Sequence, residues 1–187
     1  MKAHLFGGSA VAVTAGCIFT AMLAYACLAD IRSRRIPNPL VGYLALAGIA
    51  YSTAVGVPPG RAFLVSMAGL LVGLLLWLPF YAMHWLGAGD VKLFGAAGAW
   101  LGPLRAAEGA LVAALVGGVF ALAWMLRAYG LQGTAASASL ALASPRSVAN
   151  HRVDRNHSRA LPYGVALSLG AVLVAWFPSM LEAFHGR

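Results

Sequence analysis

Charged residues are scarce in this chain, and acidic residues are the scarcest. Only 10% of the 187 residues are charged, whereas a soluble globular domain carries roughly 25%. Hydrophobic residues make up 61% of the chain, and its mean hydropathy is +0.81. The deficit argues against a soluble domain and predicts a chain that lies in a lipid bilayer. The net charge of +8 does not indicate a nucleic-acid partner, because the cations cluster between apolar runs, where they orient helices in a membrane.

Cysteine is also rare. Cys17 and Cys27 both fall in the first apolar run, and neither a second pair nor a metal-ligand spacing accompanies them. We interpret both as small core residues. The sequence therefore predicts no disulfide, no metal site and no other cofactor.

Long apolar runs take the place of charge. A transmembrane helix needs about 20 mostly apolar residues. Six segments are candidates: 9–29, 38–57, 62–86, 91–101, 104–126 and 161–181. They predict an all-α, polytopic membrane helix bundle of about six transmembrane segments, forming a single domain over residues 1–187. The polar stretch 128–160 is rich in Ala and Ser and then in basic residues, which favours a flexible loop.

The basic residues divide unequally between the two sides of such a bundle. Nine of the 13 Lys and Arg residues fall on the side that holds residues 32–35, the Asp90–Lys92 turn and the loop 128–160, and four fall on the other side. Cytoplasmic segments carry an excess of Lys and Arg. The nine-cation side is therefore predicted to be cytoplasmic, with both termini outside.

Five acids remain to be placed. Glu108, Asp154 and Glu182 are predicted to make local or interfacial charge contacts. Asp30 and Asp90 differ, because each ends an apolar run at the same predicted membrane level. A carboxylate close to hydrocarbon is costly and needs a partner or a function, so we expect these two acids to face each other.

Two neighbouring carboxylates are suited to general acid and base catalysis. Their mutual repulsion leaves the pair sharing one proton, so that one carboxylate activates a water while the other polarises a carbonyl. Gly87 and Gly89 flank Ala88 just before Asp90 and would let a substrate backbone approach closely. Taken singly, Asp90 is also explained as the N-cap of a short helix, and Asp30 as a partner of the arginines that follow it.

Three stretches of the chain resemble the motifs of a known family. GAGDVKL (residues 87–93) looks like the GxGD motif of the type IV prepilin peptidases. DIRSRRIPN (residues 30–38) resembles the other aspartate motif of that family, and LPYGVALSLGA (residues 161–171) is similar to the Pro-Tyr-Gly opening of its last helix. The motifs occur in the family's order, and the resemblance spans nearly the whole chain.

The resemblance implies a catalytic pair, Asp30 and Asp90, in a peptidase of the bacterial inner membrane. It implies that the enzyme removes the short basic leader of prepilins and pseudopilins on the cytoplasmic side. Lys92 would then tune an aspartate or hold a substrate carbonyl, or would only extend to the membrane interface. The remaining residues expected to shape the site or bind substrate are Pro37, Asn38, Pro162, Tyr163 and Gly164.

The sequence departs in one respect from the long form of the family. That form carries paired CxxC motifs and also methylates the new pilin N-terminus. This sequence contains no CxxC and looks like the short, peptidase-only form of tight-adherence (Flp-type) pilus systems. Two other readings stay open. A small proton-coupled transporter would use the two aspartates to relay protons, and a non-catalytic secretion-system scaffold would not need them.

Overall fold

The computed structural model of the chain describes residue 6 and residues 9–33, 35–143 and 163–177. Over these ranges the regular elements are all α-helices, as the sequence predicts. They are α1 (Ala10–Ser33), α2 (Asn38–Val55), α3 (Pro59–Ala82), α4 (Ala88–Ala143) and α5 (Tyr163–Trp176).

Three helical segments in the described part of the chain are long and apolar enough to cross a membrane. They are Ala10–Ser33, Pro59–Ala82 and Ala88–Ala123. Helix α5 is apolar but has 14 residues, fewer than the roughly 20 that a membrane crossing needs. The helical and apolar character of the bundle is thus confirmed, and the number of six crossings stays a prediction.

Helix α4 folds back on itself at Gly102 and Pro103. The ring of Phe94 lies 3.5 Å from the position that a Cβ on Gly109 would take, although fifteen residues of straight helix would separate them by about 22 Å. Gly102 has a φ of +75°, a conformation that glycine adopts without steric cost, and the ring of Pro103 hinders a continuous helix. The two predicted segments 91–101 and 104–126 are therefore the two arms of one bent helix.

Glycines bring α3 and the first arm of α4 into backbone contact. Gly69 packs directly on Gly98, and a Cβ added to Gly73 would lie 2.8 Å from the Phe94 carbonyl oxygen. Small residues permit such an approach between membrane helices. The first arm of α4 is the centre of the bundle, because residues 93–102 are all buried.

Hydrogen bonds fasten α2 and α3 to the same arm. The Ser66 hydroxyl donates to the Ala99 carbonyl at 2.6 Å, and the Trp100 indole donates to the Leu44 carbonyl at 2.8 Å. Trp100 stacks on Tyr51 of α2 with ring centroids 5.5 Å apart. These contacts fix the first arm of α4 and hence the position of Asp90 at its start.

Helix α3 ends earlier than the predicted boundary near Leu86. The His84 N–H donates to the Tyr81 carbonyl and the Trp85 N–H to the Phe80 carbonyl, and His84 has a φ of +59°. This is a Schellman C-cap, and the Phe80 and Trp85 rings supply its apolar contact, with centroids 6.1 Å apart. His84, which falls within the predicted segment 62–86, lies exposed in the turn. The continuing apolar run conceals this ending in the sequence.

Helix α2 begins at Asn38, where the second predicted segment begins, and Pro37 is its N-cap. Helix α4 continues to Ala143, so residues 128–143 of the predicted loop 128–160 are helical. Their Ala and Leu content favours a helix, which the loop prediction underrated. The remainder of that loop lies outside the described residues.

Candidate active site

Asp30 lies in the last turns of α1 and is buried, with 8% of its surface exposed. Most aspartates are exposed, and a buried one is normally paired. Its helix packs against α5 and more sparingly against α2. The burial of the carboxylate places it inside the bundle.

Asp90 lies in the first turn of α4 and is half-buried. It is the third residue of the helix, not its cap. Its carboxylate accepts a hydrogen bond from the Gly87 N–H, which is one of the two hydrogen bonds of a capping box. The capping interpretation of Asp90 is thus correct in part, but the cap position belongs to Gly87.

Gly164, in the first turn of α5, is where the two aspartates meet. A Cβ added to Gly164 would lie 2.8 Å from Asp30 Oδ2 and 3.2 Å from Asp90 Oδ1. The two oxygens are therefore no farther apart than the sum of those distances, about 6 Å. Helices α1 and α4 both pack on α5, so α5 brings together two acids that are 60 residues apart in sequence.

The connection between α1 and α2 closes the site from a second direction. Ile36 contacts Gly89, with its Cβ 3.5 Å from the position of an added glycine Cβ. Ile36 therefore neighbours Gly89, which is expected to leave room for substrate, at ordinary van der Waals distance. Gly87 is exposed, and a Cβ added to it would lie 3.4 Å from Asp90 Oδ2. Gly87 therefore lies beside the Asp90 carboxylate.

Tyr163 opens α5 and lies against α4. A Cβ added to Gly117 would lie 2.6 Å from the Tyr163 hydroxyl oxygen. Asp90 is near enough for its charge to act on the Tyr163 hydroxyl. The Trp77 ring meets Tyr163 edge to face, with centroids 6.1 Å apart. The structure therefore places Tyr163 and Gly164 beside the carboxylates, where the sequence predicts residues that shape the site. Pro162 lies outside the described residues.

Lys92 faces a different side of α4. At 3.6 residues per turn, two residues turn the helix by about 200°, and Lys92 lines a groove formed with α2 and α3. Asp90 is directed towards α5 instead.

Pro37 and Asn38 are exposed at the start of α2, and the Pro37 carbonyl accepts the N–H of Leu40 at 3.1 Å. These residues shape the turn that carries Ile36.

Two neighbours of the site, Cys27 and Trp77, are not predicted from the sequence. The Cys27 thiol, one turn before Asp30, contacts the Gly164 carbonyl at 3.9 Å. Cys27 precedes Asp30 by three residues, and residues at this spacing lie on the same face of a helix. That spacing is the sign of proximity that the sequence contains. Trp77 is buried on α3. The Gly69–Gly98 contact sets an antiparallel register that places Trp77 at the level of Asp90, but only once the two helices are known to pair.

The arrangement suits one shared water molecule. A water that donates or accepts at about 2.5–3.0 Å to each of two oxygens bridges a gap of up to about 6 Å. The first turn of α5 also presents its backbone N–H groups and the positive end of its dipole near the carboxylates. Among the described residues, no group of three or more His, Cys, Asp or Glu side chains could hold a metal ion.

Comparison with known proteins identifies the family of the chain. Residues 17–122 match the model of the type IV leader peptidase family. The chain is 25% identical over 173 residues to a type 4 prepilin-like proteins leader peptide-processing enzyme of Escherichia coli, covering 87% of this chain and 51% of the relative. It is 33% identical over 119 residues to a prepilin leader peptidase/N-methyltransferase of Aeromonas salmonicida, covering 60% and 40%.

A third relative is a prepilin leader peptidase/N-methyltransferase of Pectobacterium carotovorum. It is 36% identical over 102 residues, which cover 51% of this chain and 36% of the relative. The chain thus spans about half or less of the length of these relatives. No solved structure matches it.

Proposed function

The chain belongs to the type IV leader peptidase family, and on that premise we propose that it is a membrane aspartic endopeptidase that removes the leader peptide from type IV prepilins and pseudopilins. The observation that carries the proposal is the meeting of Asp30 and Asp90 at Gly164. The relatives named for prepilin processing support the substrate class.

In the proposed mechanism one carboxylate accepts a proton from the shared water as that water attacks the scissile carbonyl carbon. The other carboxylate, carrying the pair's proton, donates it to the carbonyl oxygen. The tetrahedral intermediate then collapses and the C–N bond breaks. The carboxylate that took the water proton gives it to the leaving amine, and the other carboxylate takes a proton from a hydroxyl of the intermediate. The carboxylates therefore end the cycle with one proton between them, and no covalent intermediate forms, because water rather than a carboxylate attacks the carbonyl carbon.

The proposed setting is the bacterial inner membrane, with the site facing the cytoplasm. The unequal distribution of cations supports this orientation. We place six crossings in the bundle, with the two arms of α4 as the fourth and fifth. We also propose that the chain acts in tight-adherence (Flp-type) systems as a peptidase without methyl transfer, because its sequence has no CxxC pair.

A cleavage assay tests the proposal. The protein is co-expressed with a candidate prepilin as wild type, Asp30→Asn and Asp90→Asn, and the size shift of the pilin is followed. Asparagine keeps the shape of aspartate but serves neither as acid nor as base. We expect each variant to lose activity by about 10²–10⁴-fold, the range for removal of a general acid or base.

The matched control is Arg61→Gln, which removes an exposed charge in the first turn of α3 and should leave cleavage unchanged. Full cleavage of the prepilin by both Asn variants would contradict the peptidase proposal and favour a transporter or a scaffold. Mass spectrometry of the processed pilin N-terminus tests the methylation proposal separately, because an added methyl group raises its mass.

A further inference from the structure

A groove outside the aspartate site separates α2 from the start of α4. It has a volume of about 190 Å³ and is lined by Val41, Gly42, Ala45, Leu70, Leu74, Lys92, Gly95 and Ala96. Lys92 is the one charged residue of this lining. A site needs roughly 10–15 Å³ of such volume to hold one water-sized group, so the groove has room for a short stretch of hydrocarbon chain.

The surroundings of the groove show that it opens to the lipid. Leu46, Leu71 and Leu75 neighbour its lining residues in sequence and are 65%, 54% and 60% exposed. Apolar side chains exposed to this degree on membrane helices face hydrocarbon. A Cβ added to Gly42 would meet nothing within 4 Å, so the α2 wall is open as well.

Lys92 supplies the polar feature of the groove. It is exposed and lies in the second turn of α4, near the helix end that we assign to the cytoplasmic boundary. A lysine there needs an anionic partner or water, and basic pockets between membrane helices on that side bind anionic head groups.

We propose that this groove binds one anionic phospholipid, with the lipid phosphate on the Lys92 ammonium and an acyl chain against α2, α3 and α4. Charge complementarity selects the head group, and the apolar walls accept the chain. The inference does not depend on the peptidase activity.

The test is native mass spectrometry of delipidated wild-type protein titrated with phosphatidylglycerol or phosphatidylcholine of identical acyl chains. A lysine near an anionic surface contributes about 1 kcal/mol, so we expect the first bound phosphatidylglycerol to be favoured about fivefold. Lys92→Gln should abolish that preference, and Lys92→Arg should keep it. Arg61→Gln, which removes an exposed cation elsewhere, should also leave it unchanged.

A second variant tests the groove itself. Gly42→Leu places a side chain into open space and should weaken binding of the first lipid of either kind. Equal affinity of the wild type for both lipids would overturn the proposal. So would an unchanged preference in Lys92→Gln, full lipid binding by Gly42→Leu, or a protein dimer appearing in place of the lipid complex.

Discussion

At the residue scale, the missing side chain of Gly164 governs how closely the two carboxylates approach. Both lie within 3.2 Å of the place where a Cβ would be. Contacts below 3.0 Å require something to move, and the crowded atom here belongs to Asp30, a buried side chain. A single methyl group would therefore push the pair apart.

We expect Gly164→Ala to reduce kcat for prepilin cleavage at least tenfold, corresponding to about 1.4 kcal/mol in the barrier, with little change in KM. The pH range of activity should also change, because the sharing of a proton depends on the separation of the carboxylates. The measurement is kcat and KM of purified protein across pH.

The control for that prediction is Gly118→Ala, where an added Cβ meets nothing within 4 Å. It should keep full activity and gain about 0.5–1 kcal/mol of stability from helix propensity. A folded Gly164→Ala protein with wild-type kcat and pH profile would show that the glycine does not position the pair.

At the element scale, the contact of α3 with the first arm of α4 fixes where Asp90 lies. Gly69 meets Gly98 there, and a Cβ on Gly69 would also lie 2.7 Å from the Gly102 Cα. These neighbours are backbone atoms, which cannot rotate aside as a side chain can. The two helices would have to separate to admit a methyl group.

We expect Gly69→Ala to destabilise the protein by about 1–3 kcal/mol, the usual cost of overpacking a well-packed interface. Thermal unfolding in detergent measures the loss. Gly60→Ala, in the first turn of the same helix and free of neighbours within 4 Å, is the matched control and should unfold at or above the wild-type temperature. An equal Tm for wild type and Gly69→Ala would contradict the proposed role of this contact.

At the scale of the whole molecule, the distribution of cations sets the orientation in the membrane. Ser33 at the end of α1 and Gly60 at the start of α3 are both exposed, and the topology places them on opposite sides. In the proposed orientation, the side near Ser33, which has the excess of Lys and Arg, faces the cytoplasm.

Labelling tests this orientation. In a Cys17→Ser, Cys27→Ser background, an impermeant maleimide added to right-side-out membrane vesicles should label Gly60→Cys and leave Ser33→Cys unlabelled until the vesicles are opened. The reverse pattern would place the aspartates on the outer side and contradict a cytoplasmic active site.

The sequence by itself determined the helical, membrane-embedded class of this protein and the two acids to examine. Composition and apolar run length suffice for the first, because a bilayer leaves few options to a backbone whose polar groups must be satisfied. The scarcity of acids suffices for the second. The glycines at 69, 73, 95 and 98 also indicated close helix packing, since the absence of a side chain is visible in sequence.

Only the tertiary structure decided how these parts meet. The Schellman ending of α3 at His84 and the bend of α4 at Gly102 depend on backbone angles that an apolar run does not reveal. Three further relations follow from how the helices rotate and pair. Ile36 contacts Gly89, Lys92 faces α2 and α3, and Cys27 lies beside Gly164. Those relations join residues far apart in sequence, and the packing of α5 between α1 and α4 is what turns two isolated aspartates into a pair.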